Sequence, residues 1–130
     1  MKESFEISEI FAAKPAVIYN AWLSSKEHSK MTGGEALCSS EEGGEFTAWN
    51  EYIWGANVSL TPCSKIVQTW RTTEFSGEDE DSVITVLFEP HDSGCCVTIK
   101  HTNLPQGQTQ YLKGWKEHYF EPMREHFSAK

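Results

Sequence analysis

The sequence predicts an α+β domain in which a curved antiparallel sheet of six to seven strands grips a long C-terminal helix, with two short helices after the first strand. Apolar and polar residues alternate through much of residues 35–102, which is typical of half-buried strands. Turn signals recur there about every ten residues with no helix between them, which favours an antiparallel meander. After Pro105 the apolar spacing widens to that of an amphipathic helix.

The N-terminal part of the chain predicts one strand followed by two helices. Residues 4–12 alternate in polarity, which indicates the strand. Pro15 favours the start of the first helix, because proline is tolerated at the first helical position. Ser24 and Glu27 form the pattern of a capping box for the second helix, which Gly33 is expected to end.

The middle of the chain predicts the remaining strands, over residues 35–40, 45–50, 52–61, 65–74, 82–89 and 95–102. Alternation places Gln68 on one face with Trp70, and it places His101 on one face with Ile99. A buried amide needs a hydrogen-bond partner, so Asn57 is expected either to face a polar neighbour or to turn outward at a bulge. Gln68 is expected to face the interior.

The last part of the chain predicts one helix over residues 109–127. Its apolar stripe is expected to consist of Leu112, Trp115, Tyr119, Phe120, Met123 and Phe127. Pro122 is expected to kink this helix, because it lacks the amide that would bond back to His118. The helix must cover the sheet, and a curled sheet leaves a groove beneath a straight helix.

The groove is either filled by large side chains or left open as a ligand pocket. Five Trp, four Tyr and seven Phe supply rings for either outcome. The candidate pocket residues are Trp54, Gln68, Trp70, Phe88, His101, Trp115 and Tyr119. Trp49 and Trp54 flank a turn and are expected to rim the opening.

Charge and cysteine content exclude several classes of function. The net charge is −8, with 19 acidic and 11 basic residues, and no basic cluster is present to bind nucleic acid or an anionic membrane. No signal peptide or membrane-spanning stretch is evident, so a cytoplasmic location is expected. Four cysteines without a Cys-x-x-Cys pair are expected to be free thiols, and we expect no metal and no cofactor.

Several segments resemble a known family. Gly43-Gly44-Glu45-Phe46 matches a Gly-Gly-x-Phe turn, and residues 55–71 follow a Gly…Pro…Ile-Val-x-x-Trp-Arg pattern. Gly114-Trp115 followed by Tyr119-Phe120-Glu121 resembles the C-terminal domain of the activator of the heat-shock-protein-90 ATPase, within the START-like, helix-grip superfamily. The resemblance covers about residues 5–127, and it implies a single domain of this type over residues 1–130.

The resemblance implies three alternative functions. The first is a non-enzymatic module that holds a small hydrophobic ligand between sheet and helix, as relatives in the superfamily do with lipids, sterols or polyketides. The second is a co-chaperone that stimulates a chaperone ATPase. The third is a cyclase-like or hydrolase-like enzyme that would use His101, for which the sequence offers no partner residue. No catalytic residue is therefore assigned, and a monomer or weak homodimer is expected.

Overall fold

The computed structural model describes residues 3–127, in which one antiparallel sheet carries all the helices on one face. Its strands are β1 (Glu3–Phe11), β2 (Glu45–Ala48), β3 (Ile53–Thr61), β4 (Lys65–Thr72), β5 (Ser82–His91) and β6 (Gly94–Leu104). They lie in the order β1-β6-β5-β4-β3-β2, and every neighbouring pair is antiparallel. The predicted meander is therefore confirmed from β2 to β6, and β1 joins the sheet beside β6.

Two short helices follow β1, as predicted. They are α1 (Pro15–Leu23) and α2 (Ser25–Thr32). The Ser24 hydroxyl accepts a hydrogen bond from the Glu27 amide, which caps α2. Gly33 ends α2 in the left-handed conformation, with φ of 88°.

The strand predicted over residues 35–40 is wrong. The chain there makes only one bridge between Leu37 and Thr47, and it otherwise runs without regular structure. The next strand ends at Ala48 rather than Asn50, because Trp49, Asn50 and Glu51 all take positive φ values. Three consecutive left-handed residues turn the chain sharply and cannot continue an extended strand.

The C-terminal helix covers residues 111–126 and changes type within its length. It consists of α3 (Tyr111–Trp115), a π-helical segment (Lys116–Phe120) and α4 (Glu121–His126). The Glu121 amide donates to the Lys116 carbonyl, five residues earlier. The disruption predicted at Pro122 thus takes the form of a wider turn immediately before the proline.

The predicted apolar stripe of this helix is wrong at one position. Leu112 is exposed, and Tyr111 is the buried residue in that turn. Tyr111, Trp115 and Tyr119 are spaced four residues apart, so they share one face toward the sheet. At the other end, Phe120 and Phe127 pack on Phe11 of β1.

Candidate functional site

Four large rings fill the groove between the sheet and the C-terminal helix. We call Trp22, Trp70, Trp115 and Tyr119 the aromatic cluster; each is at most 3% exposed. Ring centroids lie 6.2 Å apart for Trp22 and Trp115, 5.6 Å for Trp70 and Trp115, and 4.6 Å for Trp115 and Tyr119. These separations are those of rings in direct contact, so the cluster leaves no continuous channel along the groove.

His101 lies beneath the aromatic cluster in a chain of hydrogen bonds. The Trp115 indole N–H donates to His101 Nδ1 at 3.0 Å, and His101 Nε2 lies 2.8 Å from Ser82 Oγ. The Ser82 hydroxyl donates to the Trp70 carbonyl. Because an indole can only donate and a carbonyl can only accept, His101 is neutral with its proton on Nε2. Burial lowers its pKa to about 3.

This arrangement gives His101 a structural position. Its side chain is completely buried, and its one acceptor nitrogen already accepts a hydrogen bond from the Trp115 indole N–H. A general base needs a free lone pair within reach of a substrate. The geometry therefore offers no support for an enzyme that uses this histidine.

His28 on α2 makes a second buried link to the C-terminal helix. Its Nδ1–H donates to the Trp22 carbonyl at 2.9 Å, and its Nε2 accepts from the Tyr119 hydroxyl at 2.8 Å. Burial lowers the pKa of His28 to about 4, although the bond to Trp22 opposes that change. Burial likewise raises the pKa of Tyr119, so both groups are neutral at physiological pH.

Gln68 faces the interior, as expected, and Asn57 faces it too rather than turning outward. The Gln68 amide donates to Asn57 Oδ1 at 2.8 Å, and the Asn57 amide donates to the carbonyls of Ser39 and Glu41 at 2.9 Å each. The Trp22 indole lies 3.5 Å from Gln68 Oε1. Both buried amides are thus satisfied by the protein itself and do not require a ligand.

The groove closes at one end in a small cavity, which we call the notch. The turn between β2 and β3 contributes Trp49 and Tyr52, and β3 contributes Ile53. The C-terminal helix and the residue before it contribute Gln110, Tyr111, Gly114 and His118. The inner wall consists of Trp70, Trp115 and Tyr119 of the aromatic cluster. The notch has a volume of about 110 Å³, opens to solvent and is almost entirely apolar. Ligand pockets for drug-sized molecules are commonly about 300–1,000 Å³.

The turn that forms the mouth of the notch is held in an uncommon conformation. Asn50 and Glu35 exchange two hydrogen bonds, and the Trp49 ring covers Gly34 so closely that a Cβ there would lie 2.4 Å from it. Trp49 also packs edge-on against His118. Its indole N–H is buried and has no hydrogen-bond partner among residues 3–127.

The seven candidate pocket residues divide into three groups. Trp70, Trp115 and Tyr119 line the notch. Gln68, Phe88 and His101 are buried elsewhere in the filled groove and line no part of the notch. Trp54 is 37% exposed and lies on the opposite face of the sheet, so its predicted position in the groove is wrong. Ile53 is the buried neighbour whose side chain takes the inner position.

Other features expected of cofactor or membrane proteins are absent from the described part of the chain. Within residues 3–127, no three His, Cys, Asp or Glu side chains lie together so that they could hold a metal ion. No helix in that range is both long and apolar enough to cross a membrane. The four cysteines are free, and Cys95 is buried whereas Cys63 is exposed.

The architecture and the sequence together identify the family. A six-stranded antiparallel sheet that holds a C-terminal helix, with two helices after the first strand, is the helix-grip fold of the START-like superfamily. The sequence profile of the family described as Activator of Hsp90 ATPase homolog 1-like protein matches residues 12–128. The chain belongs to this family.

Individual relatives are consistent with this assignment. An activator of 90 kDa heat shock protein ATPase homolog from Dictyostelium discoideum is 28% identical over 128 residues, which are 97% of this chain and 33% of that protein. The chain thus spans about one third of that relative. An HSP90 activator from Plasmodium falciparum is 26% identical, covers 91% of both chains and superposes with a TM-score of 0.81. A Chromobacterium violaceum protein with a TM-score of 0.77 is 17% identical and shares the fold.

Proposed function

We propose that this chain is a protein-interaction domain that stimulates the ATPase of an Hsp90 chaperone. The observation that carries the proposal is the filled groove. The aromatic cluster occupies the space beneath the helix, and its polar atoms bond to buried side chains of the protein, Trp115 to His101 and Tyr119 to His28. A filled groove leaves no room for a lipid-sized ligand, so the surface is the part of the domain left for binding a large partner. The relatives from Dictyostelium and Plasmodium, which are named as activators of this chaperone ATPase, support the same function.

The proposal is tested by the ATPase rate of a purified Hsp90 chaperone titrated with the purified chain. We expect the rate to rise with chain concentration and to saturate, because binding to one chaperone conformation shifts the population toward it. An ATP-site inhibitor of the chaperone gives the background rate. A flat titration, at concentrations where a separate binding measurement shows the complex to be saturated, would contradict the proposal.

A second candidate function is the binding of a small apolar molecule in the notch. The specific observation in its favour is the apolar, solvent-open cavity between the β2–β3 turn and the C-terminal helix. At about 110 Å³, it is closer in size to a cavity that admits benzene than to a lipid pocket. A small aromatic molecule would fit this volume and lie against Tyr111 and Trp115.

Toluene is a suitable probe of the notch. We expect it to shift the NMR signal of the Trp49 indole N–H and to raise the melting temperature, because a ligand that binds only the folded state stabilises it. The Trp54 indole N–H, on the opposite face of the sheet, is the internal control and should not move. If neither indole signal shifts at millimolar toluene, the notch does not bind small apolar molecules and this second function is wrong.

A further inference from the structure

The outer face of the sheet carries a shallow hollow that neither the groove nor the notch accounts for. It has a volume of about 450 Å³ and lies over β2, β3 and β4, with the exposed Trp54 beside it. Its floor includes Gly55 and Ala56. A Cβ on Gly55 would lie 1.9 Å from the Thr69 carbonyl oxygen, so no other residue fits at that point of the floor without moving the backbone.

The hollow is acidic. Glu45, Glu51 and Asp81 lie around it, and all three are exposed. Arg71 pairs with Trp54 across β3 and β4 and brings a positive charge to this face of the sheet. Its guanidinium is already bonded to the Asp81 carboxylate, so that pair is neutral and Glu45 and Glu51 give the hollow its net charge.

Arg71 also fixes the acidic loop beside the hollow. In addition to Asp81 at 2.8 Å, it donates to the carbonyls of Ser76 at 2.9 Å and Asp79 at 3.1 Å. Three bonds from one planar guanidinium hold the loop in place against the sheet. The acidic residues Glu78, Asp79 and Glu80 are therefore held next to the hollow and add to its negative potential.

We propose that this hollow is the docking surface for a basic segment of the chaperone partner, with a Lys or Arg side chain lying against the Trp54 ring. This inference rests on the function proposed above. An exposed indole attracts a cation through its ring face, and Glu45 and Glu51 complement the positive charge. Nucleic acid and anionic membranes carry the wrong sign of charge for a chain of net charge −8.

The first test uses the chaperone itself. Trp54→Ala and the charge reversal Glu51→Lys should each raise the Kd for the Hsp90 chaperone at least about tenfold, because an aromatic anchor commonly dominates an interface and a reversed charge repels a basic partner. Each variant has a matched control outside the hollow that should bind normally. For Trp54→Ala the control is Val58→Ala, an exposed position on the same strand. For Glu51→Lys it is Glu6→Lys, the same charge change on β1 at the far edge of the sheet. Unchanged binding by both hollow variants would overturn the inference.

A second test does not depend on the chaperone. An acetylated tetralysine peptide should shift the Trp54 indole N–H signal, and a tetraglutamate peptide should leave it in place. The tetralysine shift should weaken as salt is raised and should disappear in the double variant Glu45→Gln/Glu51→Gln.

Suppose that the wild-type chain stimulates the ATPase, but that Trp54→Ala binds the chaperone normally and tetralysine does not shift the Trp54 signal. The proposed docking surface is then wrong and the proposed function stands. If tetralysine binds at Trp54 but the ATPase does not respond, the proposed function fails and the hollow still binds basic segments.

Discussion

Replacing Trp115 with alanine should lower the free energy of unfolding by about 3–5 kcal/mol, which is the usual effect of truncating a buried tryptophan. Trp115 is 2% exposed and contacts Trp22, Trp70 and Tyr119. The substitution leaves a cavity in the aromatic cluster. It also removes the indole N–H that donates a hydrogen bond to His101. Urea unfolding followed by far-UV circular dichroism measures the change.

Two control variants separate the causes of this loss. Trp115→Phe keeps most of the ring contacts and removes the indole N–H, so it should destabilise the chain by about 1–3 kcal/mol through the unpaired His101. Trp54→Ala removes an indole of the same size from the exposed face and should change the stability by about 0.5 kcal/mol or less. If Trp115→Ala had no larger effect than Trp54→Ala, the cluster would not be holding the helix on the sheet.

Acidification should destabilise the fold through the two buried histidines. Folding lowers the pKa of His28 from 6.5 to about 4 and that of His101 from 6.5 to about 3. Below pH 6.5 the unfolded chain binds two protons that the folded chain excludes, so the free energy of unfolding falls as the pH falls. The loss continues to about pH 4 for His28 and about pH 3 for His101, at roughly 1.4 kcal/mol per pH unit for each.

The measurement is urea unfolding at half-unit steps between pH 7 and pH 5. His28→Gln keeps a donor for the Trp22 carbonyl and an acceptor for the Tyr119 hydroxyl, so it should fold and show about half of the wild-type slope. His91→Gln, at the exposed end of β5, is the matched control and should retain the full slope. Equal slopes for wild type and His28→Gln would show that His28 is not buried in its neutral form.

Most of the secondary structure of this chain can be predicted, because neighbouring residues along the sequence carry clear strand and helix patterns. Strict alternation along β4 and β6 identified the inward positions of Gln68 and His101, and the capping box at Ser24 marked the start of α2. The strand predicted over residues 35–40 failed for a tertiary reason. The turn at Asn50 bonds to Glu35 and holds that segment beside the sheet edge with only one bridge to β2.

The candidate site was less predictable, because its geometry depends on contacts distant in sequence. Alternation from the inward-facing Ile53 places Trp54 on the outer face of the sheet. The prediction that Trp54 rims the groove rests instead on its position beside the same turn as Trp49, and this is why it fails. Tyr111 was missed in favour of Leu112, although its spacing of four residues from Trp115 was a usable signal. No pattern could show that His28 of α2 reaches Tyr119, 91 residues later.

The filled groove beneath the C-terminal helix can be probed by a titration read through the five tryptophan indole N–H signals. Sodium laurate, a fatty-acid salt with a chain too long for a 110 Å³ cavity, is added to the labelled chain below its micelle concentration. We expect the signals of Trp22, Trp70 and Trp115 to stay in place. A saturable shift of the Trp22 and Trp115 signals, with a rise in melting temperature, would show that the groove opens to hold a lipid and is not filled in solution.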